Sequence, residues 1–279
     1  MRDYKNKTIV ITGAGSGIGR SLAIALSREG ANIALCDINT KNLSETEQVI
    51  RSSPVNTLAM KVDVANLGEF KEFAAQVSHK LGGADVLINN AGISMSELIE
   101  SMTPEQLHSL LWTNFGGVVH GCHAFLPQLK VREEGQIVNV GSVFSFGGQY
   151  GQAAYVSSKF AIRGYTETLI MELRKTKIAV SLAVPGAIST NLISNGHHSK
   201  KLLGSFDTSD FARLHERTSQ NTPDACARKL IAGMRRGRRR IIIGGDARLL
   251  TFLATYAPRI YEQVVLAYGR MVQEGQRHL

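Results

Sequence analysis

The chain has 279 residues, of which 43% are hydrophobic and 20% charged, and its formal net charge is +9. These values are typical of a soluble globular protein that buries a full core, and we favour one large α/β domain over two small ones. The sequence also excludes a membrane-spanning protein, because no apolar run in it approaches the ~18 residues that a membrane-spanning helix needs. The charged N-terminal segment passes directly into a strand pattern, so we expect no secretory signal.

The cysteines indicate a reducing compartment. Cys36, Cys122 and Cys226 are odd in number, far apart and in no Cys-x-x-Cys motif. We therefore expect a cytoplasmic protein without disulfides or zinc. His120 and His123 flank Cys122 but have no carboxylate partner nearby in the sequence, so we expect no metal site.

Strand-like and helix-like segments alternate along the chain. The predicted strands are Thr8–Thr12, Asn32–Cys36, Leu58–Val62, Val86–Ile88, Gln136–Val140, Ala179–Val184 and Ile241–Ile243. Apolar residues at helical spacing predict helices at Gly17–Glu29, from about Lys41, at Glu69–Lys80 and over roughly Pro104–Leu129. This alternation forms βαβ units, so the predicted fold class is α/β with a doubly wound parallel sheet. Ligands of such sheets bind outside the carboxyl ends of the strands.

A glycine-rich turn follows the first strand and opens the first helix. Its sequence is Thr-Gly-Ala-Gly-Ser-Gly-Ile-Gly, from Thr12 to Gly19. Glycines let the backbone approach a pyrophosphate, and the helix N-terminus offers free N–H groups and positive potential. The candidate cofactor-binding residues of this turn are Gly13, Ser16, Gly17, Ile18 and Gly19.

Asp37 ends the second strand, eighteen residues after Gly19. A carboxylate there accepts hydrogen bonds from a ribose 2′-hydroxyl and repels a 2′-phosphate. Neither Ile38 nor Asn39 supplies a positive charge. We therefore favour NAD over NADP as the cofactor. A helix cap or an exposed charge is the alternative.

Later strand ends carry the remaining candidate cofactor-binding residues: Asp63, Val64, Asn90, Ala91, Gly92, Pro185, Gly186, Ile188 and Thr190. A short acid such as Asp63 can hold the exocyclic amine of an adenine, or it can cap the next helix. The amides of Asn89 and Asn90 can tie neighbouring strand ends together. The segment from Pro185 to Thr190 suits a loop that lies over a nicotinamide amide.

Tyr155 and Lys159 stand four residues apart, which places them on one face of a helix. The ammonium group of Lys159 is then expected to favour the phenolate and to lower the tyrosine pKa from about 10. A surface pair is the alternative. Ser142 lies thirteen residues upstream of Tyr155, and Asn114 lies within an otherwise apolar helical stretch, where asparagine is unfavourable.

Taken together, these motifs resemble those of the short-chain dehydrogenase/reductase family, in its single-domain form with TGxxxGxG and YxxxK motifs. The resemblance covers about Lys7 to Gly244. It implies a Rossmann fold of about seven strands and hydride transfer between NAD(H) and a secondary alcohol, ketone or aldehyde. It implies oligomers as well, and we expect a homodimer or homotetramer.

The resemblance assigns catalytic roles to four residues. Tyr155 is expected to act as general acid and base toward the substrate oxygen, which Ser142 also binds. Lys159 is expected to lower the pKa of Tyr155 and to hold the nicotinamide ribose. Asn114 is expected to anchor a water molecule that links Lys159 to solvent. A catalytically idle NAD(H)-binding scaffold or sensor is the alternative, and the presence of all four residues argues against it.

The substrate residues are largely apolar. Those predicted to line the pocket are Ser142, Val143, Phe144, Tyr150, Tyr155 and Leu192, with Ser94, Met95, Ile188 and Ile193 nearby. This favours a hydrophobic alcohol or ketone of steroid, retinoid or long-chain type, although many pockets are apolar whatever their substrate. Residues 187–222 form a long substrate loop within the predicted domain 1–245, and such loops are often lids. We expect His197 and His198 in this loop to be exposed.

The C-terminal region, residues 246–279, is predicted to form two amphipathic helices split by Pro258. Their apolar face suits a partner subunit, the substrate pocket or a membrane surface, and the first two are favoured because basic and apolar groups are not cleanly segregated. The arginine cluster at 235–240 could attract nucleic acid or anionic lipid. We favour a solvated turn and expect no nucleic-acid partner.

Overall fold

The computed structural model describes residues 1–190, 192, 196–199, 202, 213, 219 and 221–275, with side chains described as far as residue 267. The strands are β1 (Thr8–Thr12), β2 (Asn32–Asp37), β3 (Thr57–Lys61), β4 (Val86–Asn89), β5 (Met95–Ser96), β6 (Gly135–Val140), β7 (Ile178–Pro185), β8 (His197–His198) and β9 (Arg240–Ile243). The helices are α1 (Gly17–Arg28), α2 (Thr40–Ile50), α3 (Leu67–Leu81), α4 (Pro104–Leu111), α5 (Gly117–Lys130), α6 (Ala153–Glu172), α7 (Pro223–Arg235), α8 (Gly245–Tyr256) and α9 (Pro258–Gly275).

Seven of these strands form one parallel sheet in the order β3-β2-β1-β4-β6-β7-β9. The strands read as continuous apolar runs because both faces of the sheet are covered by helices. One core cluster includes Phe70, Phe73 and Phe125, and a second includes Tyr4 and Leu22. The strand order reverses between β1 and β4, which opens a crevice at the carboxyl edge of the sheet. The predicted α/β fold with a doubly wound parallel sheet is confirmed.

The helix predicted over Pro104–Leu129 contains a break that periodicity did not predict. α4 passes into a π-helical turn at Trp112–Gly116 before α5 begins. Such turns insert one extra residue into an α-helix and are frequent at functional sites. Here the turn carries Asn114.

Two further sequence expectations are wrong. β3 ends at Lys61, so Asp63 and Val64 lie beyond the strand rather than at its end. His198 is not exposed, because β8 pairs with β5 in a small parallel sheet and leaves His198 only 8% accessible. Its Nδ1 lies 2.9 Å from the Ser96 hydroxyl. His197 is exposed, as predicted. Ile193 and most of the 187–222 loop lie outside the described residues.

No helix among residues 1–190 and 221–275, or in the isolated described positions between them, is long and apolar enough to cross a membrane. The two helices predicted around Pro258 are present as α8 and α9. α8 packs on β9 and on the turn that follows Ser142, and α9 packs on α8. The extension is therefore in contact with the sheet domain.

Asparagine side chains tie neighbouring strands together near their carboxyl ends. Asn89 Nδ2 donates to Asn139 Oδ1 at 2.9 Å, which joins β4 to β6. Asn139 Nδ2 in turn donates to the Thr166 hydroxyl on α6 at 3.0 Å. On the other side, Asn90 Nδ2 donates to the Thr12 carbonyl at 2.9 Å, which joins the end of β4 to β1. These bonds confirm the predicted ties and fix the edge on which the candidate site is built.

Asn139→Ala is expected to lower the free energy of unfolding by about 3 kcal/mol, because it removes partners from two buried polar groups and leaves a small cavity. Asn139 is completely buried. Urea unfolding followed by circular dichroism measures the change. Thr168→Ala, at an exposed position of α6, is the matched control and should change stability by less than about 0.5 kcal/mol. A loss below about 1 kcal/mol in Asn139→Ala would contradict a stabilising role for this network.

Candidate active site

Ser142, Tyr155 and Lys159 come together at the carboxyl edge of the sheet. Ser142 follows β6, and α6 presents Tyr155 and Lys159 at adjacent turns of one face. All three side chains are buried. The Ser142 side chain hydrogen-bonds that of Tyr155. Lys159 Nζ lies 5.4 Å from the centroid of the Tyr155 ring. The surface-pair alternative for Tyr155 and Lys159 is therefore wrong.

The ammonium group of Lys159 is held inside the protein by backbone. Its Nζ donates to the Val140 carbonyl at 3.1 Å, at the last residue of β6. It also lies beside Gly92, where an added Cβ would be 3.8 Å from Nζ. The same Cβ would be closer to Asn114, at 3.1 Å from its Oδ1, so the loop at Gly92 packs against both Asn114 and Lys159.

Asn114 is joined to both segments that flank Lys159. Its Oδ1 accepts from the Ile93 amide at 2.8 Å, and its Nδ2 donates to the Ile93 carbonyl at 3.0 Å. The same Nδ2 donates to the Ser158 hydroxyl at 3.1 Å, one residue before Lys159. Because the π-turn displaces Asn114 from regular helical geometry, one amide can reach the loop after β4 and α6 together.

The predicted direction of the Tyr155 pKa is wrong for this chain. Burial raises the pKa of Tyr155 to about 12, and the hydrogen bond with Ser142 offsets only part of that rise. Burial lowers the pKa of Lys159 to about 8. Both shifts have the same cause, since a buried site disfavours the phenolate and the ammonium alike. At neutral pH, Tyr155 is therefore held as the protonated phenol.

The glycine-rich turn has the shape expected of a phosphate cradle. Gly13 adopts a φ of +63°, and a Cβ there would lie 2.8 Å from the Cα of Ala91. A Cβ on Gly19 would lie 2.2 Å from the Gly13 carbonyl oxygen. The Thr12 hydroxyl accepts hydrogen bonds from the amides of Asn90 and Ala91, at 3.0 and 2.9 Å. The backbone therefore packs too closely for side chains at the N-terminus of α1, and this arrangement fits a dinucleotide pyrophosphate.

Asp37 lies against this turn. Its Oδ2 accepts from the Gly15 amide at 2.8 Å, and its Oδ1 accepts from the Asn39 amide at 2.9 Å. Asn39, rather than Asp37, caps α2. Each carboxylate oxygen keeps a further lone pair for a ligand hydroxyl.

The other predicted cofactor residues lie on the loops around the same crevice. Asp63 Oδ1 accepts from the Ala65 amide, and the cap of α3 is Asn66, so Asp63 does not cap that helix. Val64 is buried against Gly117. Ser16 immediately precedes α1, and Ile18, inside α1, packs on the second core cluster.

The region after Pro185 reaches the glycine turn, since a Cβ on Gly17 would lie 3.2 Å from the Thr190 methyl group. Ile188 is buried and forms a bridge with Asn221.

An apolar cluster surrounds the Tyr155 ring. Its buried members include Met95, Leu110 and Ala154, and Phe144 and Leu192 pack against them. The Phe144 and Tyr155 rings meet edge to face, with centroids 6.4 Å apart. Val143 and Ser94 are also buried, whereas Tyr150 is 62% exposed and its role stays a prediction.

Sequence reasoning missed several residues that shape this site. Ser158 accepts a hydrogen bond from Asn114, and an apolar-pattern search passes over such hydroxyls. Thr12 was read only as the first residue of the glycine motif, but its hydroxyl binds the amides of Asn90 and Ala91. Asp246, in the first turn of α8, accepts from the Ala187 amide at 2.7 Å through Oδ2. Tyr261 of α9 reaches the turn after Ser142. The only available signals were an acid just after the last strand and a Tyr on the apolar face of an amphipathic pattern that holds two others.

A doubly wound parallel sheet with a close-packed glycine turn after β1 is typical of dinucleotide-binding α/β proteins. Here a buried Ser-Tyr-Lys group, whose side chains are capable of proton transfer, lies at the same edge. Residues 7–201 match the family model described as short chain dehydrogenase. The chain belongs to the short-chain dehydrogenase family, whose members are NAD(P)-dependent oxidoreductases. The match ends before α7, α8 and α9.

Three relatives illustrate the likeness. The putative oxidoreductase SadH of Mycobacterium tuberculosis is 32% identical over 270 residues, which cover 96% of each protein. A short-chain dehydrogenase/reductase from Burkholderia phymatum, solved in complex with NAD, has a TM-score of 0.79 at 25% identity and covers 86% of this chain and 90% of its own. An alcohol dehydrogenase from Thermococcus sibiricus, complexed with 5-hydroxy-NADP, has a TM-score of 0.69 at 27% identity and covers 82% and 90%.

Lys159→Met is expected to stabilise the protein at pH 7. The pKa of Lys159 falls from 10.5 to about 8 on folding, which corresponds to about 3 kcal/mol of unfolding free energy. Loss of the hydrogen bond to Val140 offsets about 1 kcal/mol, so the net gain is about 2 kcal/mol. Between pH 8 and 10.5 the unfolded wild type holds a proton that the folded protein releases, so wild-type stability rises and the gain of the variant disappears.

Urea unfolding of wild type and Lys159→Met at pH 7, 8, 9 and 10 measures this difference. Lys175→Met, which changes an exposed lysine near the end of α6, is the control and should show no such pH-dependent gain. A difference between wild type and Lys159→Met that stays constant from pH 7 to 10 would contradict the lowered pKa.

Proposed function

We propose that this protein is an NAD(H)-dependent oxidoreductase that interconverts hydrophobic secondary alcohols and ketones, or reduces a hydrophobic aldehyde to its primary alcohol. The observation that carries the proposal is the burial of Ser142, Tyr155 and Lys159 together, at the sheet edge that also holds the glycine turn. Family membership supports the redox class.

The proposed cofactor is NAD. The glycine turn from Gly13 to Gly19 would hold its pyrophosphate, Asp37 the adenosine ribose, and the segment from Pro185 to Thr190 the nicotinamide end. NAD, when bound, supplies or accepts the hydride. Structures of the family hold both kinds of cofactor, NAD in the Burkholderia phymatum protein and 5-hydroxy-NADP in the Thermococcus sibiricus enzyme. The preference for NAD therefore rests on the carboxylate of Asp37, which would repel a 2′-phosphate.

Tyr155 would exchange the proton with the substrate oxygen. Because burial keeps its phenol protonated at neutral pH, Tyr155 is suited to donate a proton as a carbonyl is reduced. Ser142, which shares a hydrogen bond with Tyr155, would donate to the same oxygen. Alcohol oxidation would need the phenolate, so its rate should rise with pH.

Lys159 and Asn114 would support this step. Lys159 Nζ has three donors, of which one binds Val140, so two remain for ribose hydroxyls. Asn114 would keep Lys159 in place through Ser158. Its Oδ1 accepts one bond from Ile93 and keeps a second lone pair for the proposed water molecule.

The apolar cluster of Met95, Phe144 and Leu192 beside Tyr155 supports a hydrophobic substrate. The cytoplasmic location, the homo-oligomer and the membrane contact of the extension stay predictions. Large apolar side chains are exposed on α8 and α9, among them Leu249, Phe252, Tyr256 and Ile260. This exposure is compatible with either a subunit or a membrane contact.

Tyr155→Phe is expected to lower the turnover number by at least ~1,000-fold, because it removes the proton that the substrate oxygen needs. The assay follows NADH absorbance with a panel of hydrophobic ketones and alcohols. NADH binding, measured by fluorescence, should stay within about threefold of wild type. Turnover that survives in the variant would contradict the mechanism. Absence of turnover in wild type with every substrate would favour the idle scaffold or sensor.

Asp37→Ala is expected to lower the preference for NAD over NADP by at least ~10-fold. Removal of the repulsion between this carboxylate and the 2′-phosphate should make the binding free energy of NADP more favourable by more than about 1.4 kcal/mol. Steady-state kcat/KM with each cofactor gives the ratio. Glu105→Gln, at an exposed acid on α4, is the control and should leave the ratio unchanged. An unchanged ratio in Asp37→Ala would show that Asp37 does not select the cofactor.

A further inference from the structure

The segment between Ser142 and Tyr155 is hereafter the 143–152 loop. Its far end is held by the Glu97 amide, which donates to the Gly151 carbonyl at 2.7 Å. Three other contacts, nearer Ser142, bear on the pocket. Phe144 packs edge to face on the Tyr155 ring. Phe146 is buried in the main core cluster. The third attachment comes from Tyr261 on α9, more than a hundred residues further along the chain. The conformation of this loop therefore depends on the C-terminal extension as well as on its own neighbours.

Tyr261 is built into the loop. Its side chain is only 4% exposed, and its hydroxyl donates to the Gly148 carbonyl at 3.0 Å. Its ring lies against Gly147, where an added Cβ would be 2.3 Å from a ring carbon. A glycine at position 147 is therefore what lets the ring of Tyr261 come this close.

The two adjacent glycines differ in what surrounds them. Neither Gly147 nor Gly148 has a positive φ, so the backbone conformation itself permits alanine at both. A Cβ on Gly147 would meet atoms of Tyr261 first, whereas a Cβ on Gly148 would meet no atom of the described residues within 4 Å. Gly147 thus fits against Tyr261 specifically, and Gly148 offers a matched control.

We propose that Tyr261 is a positioning residue, which fixes the wall of the substrate pocket that the 143–152 loop forms between Ser142 and Tyr155. It acts through the loop backbone rather than on the reacting atoms. The role of Tyr261 in substrate binding rests on the function proposed above. The effect of Tyr261 on the loop conformation is independent of that function.

The position of Tyr261 also points to the class of substrate that depends on it. Phe144 in the loop packs against Tyr155, so a shift of the loop changes the apolar space next to the reacting oxygen rather than the phenol itself. On the proposed function, a large hydrophobic substrate would extend along this wall and a small ketone would not. Loss of Tyr261 should therefore raise KM for large substrates and leave kcat nearly unchanged.

Hydrogen exchange of the substrate-free protein tests the effect on the loop. Tyr261→Phe keeps the ring and removes one hydrogen bond, so amides of the 143–152 peptide should exchange about fivefold faster. Gly147→Ala, which forces the ring away, should increase exchange further. Gly148→Ala should leave it unchanged. In the double variant Gly147→Ala/Tyr261→Ala, the alanine at position 147 should add nothing to the effect of Tyr261→Ala, because the ring it would meet is gone.

Kinetics of Tyr261→Phe then test the pocket. KM for a long-chain or steroidal ketone should rise about fivefold with kcat within twofold, while KM for a small ketone stays unchanged. A merely structural loss would instead lower the active fraction and reduce kcat for every substrate alike.

The outcomes separate the two proposals. Unchanged exchange in Tyr261→Phe and Gly147→Ala would overturn the positioning role, as would an equal effect of Gly147→Ala with and without Tyr261. Altered exchange with unchanged KM for large substrates would overturn the role in the pocket. Altered exchange in a wild type that turns over no substrate would refute the proposed function and leave the positioning of the loop standing.

Discussion

The burial of a single amine, that of Lys159, is the constraint on which the centre of this protein depends. A buried ammonium is unfavourable, and here its pKa falls to about 8. The surrounding structure must hold it there against that tendency. The Val140 carbonyl accepts a hydrogen bond from it, and the Asn114–Ser158 hydrogen bond fixes the helix turn before it. Gly92, in the loop after β4, lies beside both Asn114 and the amine. A stable position for Lys159 thus requires that β6, α6 and the loop after β4 meet at one point.

The same burial explains why sequence spacing misjudged the electrostatics of the pair. An i, i+4 spacing correctly places Tyr155 and Lys159 on one helix face, and this proximity alone would favour opposite charges. The spacing of two residues in the sequence carries no information about how exposed their side chains are to solvent in the fold. In the folded chain both groups lose their water, and the loss outweighs their attraction, so the pKa of Tyr155 rises. The phenol is consequently held ready to donate a proton rather than to accept one.

Local patterns predicted the architecture well, because a parallel sheet buried on both faces imposes strong local patterns on the sequence. β1 has the predicted bounds, and the seven strands of the main sheet are those that were predicted, whereas the short strands β5 and β8 were not. The features that sequence missed are contacts between distant segments. The π-turn at Trp112–Gly116 keeps the apolar periodicity of a helix, so nothing local marks it. His198 is buried by pairing with a strand about a hundred residues earlier, which no local signal records.

The glycines after Ser142 show the same limit at the level of single residues. In the sequence Gly147 and Gly148 are equivalent and suggest only a flexible turn. In the structure Gly147 accommodates an aromatic ring from α9, whereas Gly148 only accepts a hydrogen bond from that residue through its carbonyl oxygen. At Gly147 the backbone conformation does not require glycine, since its φ is not positive, and the close contact with the ring of Tyr261 does. Tyr261 lies beyond residue 201, where the family match ends. The contact that constrains the 143–152 loop thus comes from outside the matched region, whereas Ser142 after β6 and Tyr155 and Lys159 on α6 lie within it.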